Sequence, residues 1–202
     1  EPVPGTTFRY LGGIVGRATG AIDGCENRGE IRISTDATGR TIQYVGGVAG
    51  YAAAVTDSAN RAGLTVATTQ ADTTIGYIGG VAGMCTSASG CINSGVVTGT
   101  APAGAAKTTL MGGIVGSVSG AVNDCFATGA VTGTSFTTVG GLIGSARAMT
   151  SCYSAAEVTG GKTMGGQDRA GVCWTILSDR ASRAMAYVGM TRARDENHVA
   201  IY

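Results

Sequence analysis

The sequence predicts an all-β fold in which short strands stack as the coils of a solenoid, and three observations point there. The first is a block of one apolar residue, two glycines, two apolar residues and a glycine, repeated five times: LGGIVG from Leu11, VGGVAG from Val45, IGGVAG from Ile78, MGGIVG from Met111 and VGGLIG from Val139. The pairs Gly12 and Gly13, Gly46 and Gly47, Gly79 and Gly80, Gly112 and Gly113, and Gly140 and Gly141 begin 34, 33, 33 and 28 residues apart, periods within the range of solenoids and related arrays. The second is a companion block after each pair: CENRGEI from Cys25, SANRAGL from Ser58, CINSGVV from Cys91, CFATGAV from Cys125 and CYSAAEV from Cys152. The third is residue type. Val, Ile and Thr suit a pleated surface, whereas each glycine costs a helix about 1 kcal/mol relative to alanine.

Each element of the repeat has its own reason. Before the glycine pairs, Tyr10, Tyr44 and Tyr77 occupy one column, which continues as Leu110, Thr138 and Thr163. This column is a candidate strip for binding glycan or peptide, and it also reads as a half-buried stacking ladder. The glycine pairs let the backbone turn, or approach an opposite wall where a Cβ would clash. Next comes an inward column, Cys25, Ser58, Cys91, Cys125 and Cys152. Equivalent residues stack roughly 4.8 Å apart, so a small side chain that tolerates its own copy above and below is expected to pack there. Cys91 and Cys125 come near the separation a disulfide allows, and a local Cys85–Cys91 loop is the alternative. Six residues further on, Ile31, Leu64, Val97, Val131 and Val158 form an aliphatic column, with the sheet-forming Thr65, Thr98, Thr132 and Thr159 beside it. Stretches 36–41, 68–74 and 100–107 are insertions expected to bulge from one edge.

Composition narrows the function. Glycine is 35 of 202 residues against an ordinary share of about 7 percent, yet Pro is 3 and hydrophobic residues are 44%, which excludes a disordered linker. Charged residues are 13% and the net charge is +1, so no global field exists to hold nucleic acid or an anionic membrane. No apolar run reaches the length of a membrane span, and the chain's start carries no signal-peptide pattern, so no membrane insertion is expected. There is no C-x-x-C pair, and the single histidine, His198, has no spaced ligand partner. Neither a metal nor a cofactor is expected, and no catalytic residue stands out.

The blocks GGIVG and CFATGAVTG resemble the GLUG motif, a repeat of bacterial surface and secreted proteins that include large adhesins, over about residues 10 to 166. The resemblance implies a parallel β-helix-like solenoid of about five coils in residues 1–166, at the cell surface or outside it. It also implies a structural or adhesive role, with an unidentified protein or glycan as ligand. It carries no catalytic residues. Ser58 and the insertions depart from the motif.

Residues 167–202 differ in composition, holding the only Trp, the only His and five of the fourteen basic residues. A strand is expected at Val172 to Leu177, a helix from Arg180 to about Arg194 capped by Ser178, and a strand at His198 to Tyr202. This short α/β tail is expected to cap the solenoid end, whose open edge needs cover. Its segment from Met185 to Arg194 resembles the last motif of superfamily 1 helicases of conjugative relaxases, in which Arg192 would be the phosphate-contacting arginine. Ala156 to Thr163 ends like a phosphate-cradling loop but lacks its first glycine, and Ala156 to Gly160 is already accounted for as a repeat block. A nucleotide- or DNA-linked fragment is therefore the alternative reading. End-to-end assembly into a fibre is a second alternative.

Overall fold

The computed structural model of the chain describes residues 7–103, 107–160, 163–165, 172–177 and 196–201. Every paired strand is parallel to its neighbour, and four sheets wrap one axis. The first sheet contains β1 (Thr7–Gly12), β6 (Thr41–Gly46), β10 (Thr74–Gly79), β14 (Lys107–Gly112), β19 (Thr138–Gly140) and β24 (Thr163–Gly165), hydrogen-bonded in that order. The second contains β2 (Val15–Arg17), β7 (Ala49–Thr56), β11 (Ala82–Ser89), β15 (Val115–Val118) and β20 (Ile143–Ser145). Its face is extended by β3 (Ala21–Asp23), β16 (Ala121–Asn123) and β21 (Ala148–Thr150). The third comprises β4 (Glu26–Asn27), β8 (Ala59–Asn60), β12 (Ile92–Asn93), β17 (Phe126–Ala127) and β22 (Tyr153–Ser154). The fourth comprises β5 (Ile31–Thr35), β9 (Leu64–Thr68), β13 (Val97–Thr100), β18 (Val131–Thr134) and β23 (Val158–Gly160). The fold is thus a β-solenoid of about five coils, and the described residues contain no helix.

The register is the one the repeat dictates. Gly12, Gly46, Gly79, Gly112, Gly140 and Gly165 stand one over another in the first sheet. Ile31, Leu64, Val97, Val131 and Val158 do so in the fourth. Ala156 is buried, and Val158 to Gly160 pair with Val131 to Gly133, so the stretch that imitates a phosphate loop is built into the fifth coil.

Two apolar columns fill the interior. One runs between the first and fourth sheets, with Ile42, Val45, Leu64, Val66, Ile75 and Ile78 all fully buried. The other lies inside the second sheet, with Val48, Val55, Val81, Ile114 and Val122. The glycine pairs sit where the chain turns from the first sheet to the second, and none of them has a positive φ. Their glycines are required by close approach. A Cβ on Gly80 would lie 2.1 Å from Gly113 O and 2.5 Å from Asn93 Cγ, and one on Gly46 would lie 2.0 Å from Ala49 O.

The first two insertions leave the fourth sheet as expected and stack on one another, while residues 104–106 of the third lie outside the described residues. Thr74 N–H donates to Arg40 O at 2.8 Å, and Gly39 N–H donates to Asp72 Oδ2 at 2.9 Å. The last full repeat is shorter because only Ser135 to Thr137 separate β18 from β19. Phe136 turns inward there and is 1% exposed, in space left by Gly99 and Gly133; a Cβ on Gly99 would lie 2.6 Å from its ring.

In the tail, β25 (Val172–Leu177) and β26 (Glu196–Ile201) pair in parallel as a separate two-stranded sheet, close to the two strands expected there. The expected helix and Arg192 lie outside the described residues.

Candidate functional site

The tyrosine column is the surface feature with the most defined chemistry. The register places Tyr10, Tyr44 and Tyr77 over one another on the first sheet. Their rings stack at centroid distances of 5.4 and 5.3 Å, tilted by 11° and 10°. Both faces of Tyr44 are therefore covered by neighbouring rings, and the ladder offers ring edges and hydroxyls to a ligand. Gln43 Nε2 donates to the Tyr44 hydroxyl at 3.3 Å. Partial burial, reinforced by Tyr77 and Tyr10, pushes the Tyr44 phenol above its ordinary value.

The second sheet adds a wall to this strip. Tyr51 meets Tyr10 and Tyr44 edge-on at 6.1 and 6.3 Å. The exposed Arg17, stacked under Tyr51, holds its guanidinium 5.6 Å from the Tyr10 ring centre and 5.8 Å from that of Tyr51. The two sheets can approach this closely because the third glycine of each block has no side chain. A Cβ on Gly50 would lie 2.6 Å from Leu11 N, and one on Gly83 would lie 2.5 Å from Val45 N. The sequence pointed to Tyr10, Tyr44 and Tyr77 and missed Arg17 and Tyr51. Each follows the last glycine of its block, in a column that continues as Met84, Ser117 and Ser145 and so has no shared residue type to mark it.

The cysteine column is internal and acts through the backbone. Cys91 and Cys125 are fully buried, as is Ser58, while Cys25 and Cys152 are half-buried. The residue before each is left-handed: Gly24, Asp57, Gly90, Asp124 and Ser151 have φ of 60°, 45°, 63°, 52° and 53°. Each S–H or O–H then donates to the carbonyl two residues back. The bonds run from Cys25 to Asp23, Ser58 to Thr56, Cys91 to Ser89, Cys125 to Asn123 and Cys152 to Thr150, at 3.4, 2.8, 3.4, 3.1 and 3.2 Å. Cys25 N–H donates to Ser58 Oγ, and Cys91 N–H to Cys125 Sγ, so the column also ties coil to coil. Serine substitutes at Ser58 because the site needs a small donor and acceptor at a left-handed turn, a role that packing alone does not describe. Burial pushes the Cys85 thiol, in the same core, up to about 12.

Beside this column runs a buried asparagine ladder that sequence reasoning missed. Asn27 Nδ2 donates to Asn60 Oδ1, and Asn60 Nδ2 to Asn93 Oδ1, each at 2.8 Å. The same amides bond Gly29 O, Ala62 O and Gly95 O at 2.9, 2.8 and 2.8 Å. The column continues as Ala127 and Ser154. The third residue of each companion block carried the signal, since it reads Asn in three successive coils.

Elsewhere, a hollow of about 440 Å³ lies at the insertion edge of the fourth sheet, lined by Ser34, Thr35, Asp36, Ala67, Thr68, Thr69 and Thr100. Among the described residues, no three His, Cys, Asp or Glu side chains come together as a metal site. In comparisons with known proteins, no family model, no curated protein and no solved structure matches this chain.

Proposed function

We propose that this β-solenoid is a non-catalytic structural or adhesive module of the cell surface or extracellular space, and that it engages a protein or glycan through the face bearing Tyr10, Tyr44, Tyr77, Tyr51 and Arg17. The observation that carries this reading is the placement of Arg17 against two tyrosine rings at a solvent-facing junction of two sheets. A guanidinium anchored on aromatic faces keeps its donors available at little further entropic cost. The tyrosine hydroxyls add donors and acceptors at the coil spacing. The location follows from the GLUG-like blocks. An array of immobilised glycans probed with the whole chain tests the reading: Arg17→Ala should weaken a captured glycan roughly tenfold, about 1.4 kcal/mol. Undiminished capture by the variant would contradict it.

A further inference from the structure

Cys91 and Cys125 occupy the same place on consecutive coils, because the residues after them, Ile92 and Phe126, are paired in the third sheet. Their Cα atoms are therefore separated by about one strand spacing, ~4.8 Å, within the ~4.4–6.8 Å that a disulfide spans. Both side chains are fully buried, and Cys91 N–H donates to Cys125 Sγ at 3.4 Å. Cys152 stacks on Cys125 in the same register, because Phe126 pairs with Tyr153, but it is only half-buried, whereas Cys91 and Cys125 are both fully buried. Ser58 separates Cys25 from Cys91, Cys85 stands on β11 between Ala52 and Val118, and the half-buried Cys152 directs its thiol to Val122 O and Thr150 O.

We propose that Cys91 and Cys125 are a disulfide site, closed by a low-molecular-weight disulfide while the coils assemble, and that the bridge staples the third coil to the fourth. After losing its proton to solvent, Cys91 displaces one thiolate from the small disulfide and forms a mixed disulfide. Cys125, deprotonated in turn, attacks the Cys91 sulfur and expels the second small thiolate. Two protein thiols are oxidised, one small disulfide is reduced to two thiols, and the two released protons end on those thiols. Both sulfurs are buried in the finished solenoid, so the exchange belongs to folding or to transient opening between coils. The bridge removes the S–H bonds to Val55 O, Ser89 O and Asn123 O, which are weak donors' bonds and little loss.

The test is refolding of the full chain from denaturant in mixed oxidised and reduced glutathione. Remaining thiols are then alkylated under denaturing conditions, and the chain is digested without reduction for tandem mass spectrometry. The expected product links Cys91 to Cys125, with Cys25, Cys85, Cys152 and Cys173 alkylated. Recovery of Cys91 or Cys125 as alkylated, glutathione-bound or bridged to another cysteine would overturn the proposal. Cys125→Ser, which the column accommodates as it does Ser58, should fold with the parent circular dichroism spectrum and leave Cys91 alkylated. Bridging of Cys91 to Cys85 or Cys152 in that folded variant would also count against the specificity claimed for the pair.

Discussion

Asn60 illustrates how single residues hold the coils. It accepts from Asn27, and donates to Asn93 and to Ala62 O, with no exposed surface. Asn60→Ala leaves Asn27 Nδ2 and Asn93 Oδ1 without these buried partners, and each buried unpaired group costs about 1–3 kcal/mol. Urea unfolding should show a loss of about 3 kcal/mol. Ala127→Asn is the converse change. It extends the ladder into a column position already faced by a glycine, Gly113, and should add about 1 kcal/mol by the same measurement. The ladder was hard to read from sequence because asparagine in a glycine-rich block looks like a turn residue and the column lapses at Ala127. The left-handed column was hidden for a related reason. Gly24, Asp57, Gly90, Asp124 and Ser151 share a conformation while differing in type, and only the turn as a whole was apparent.

At the scale of elements, the glycine blocks decide whether neighbouring strands can touch. Gly80→Ala would place a methyl 2.1 Å from Gly113 O, against backbone that cannot move without shifting a coil. Gly20→Ala meets nothing within 4 Å at a φ suited to alanine. Gly80→Ala should therefore cost more than about 3 kcal/mol in urea unfolding, and Gly20→Ala less than about 0.5. This role was legible in the sequence, because a pair recurring at a fixed place in each coil implies a repeated steric demand. The partners it demanded were not legible, because Asn60 and Asn93 lie in a different block from the glycines they contact. The tyrosine ladder adds a pH dependence. The Tyr44 phenol is raised in the folded chain, so the neutral form stabilises the fold fully below its unfolded value near 10. That contribution is lost as pH rises through the higher folded value. Thermal melts should fall above pH about 10, and Tyr44→Phe, which has no proton to lose, should fall less.

For the whole molecule, stability is a sum of coils and the contacts between neighbours. Excision of residues 46–78 joins Val45 to Gly79 and preserves the glycine register, so the shortened chain should keep its β-type circular dichroism. Its urea m-value should drop by roughly a fifth, in proportion to the surface removed. An unfolded product would show that the coils are not interchangeable units. Architecture was the most legible level, since five correlated blocks fix both the coil length and the register. Phe136 was the exception. It enters the core where the insertion is missing, a consequence of three-dimensional space left by Gly99 and Gly133 that no periodic pattern encodes.

Equivalent residues of successive coils lie in contact along one axis. Methyl NMR on the labelled chain reads this directly through Leu64, Val97 and Val131, which are 33 and 34 residues apart in sequence and adjacent in the fourth sheet. Strong Overhauser contacts are expected from Leu64 to Val97 and from Val97 to Val131, and none of comparable strength from Leu64 to Val131. Absence of the two neighbour contacts, or contacts only between residues close in sequence, would contradict this stacking.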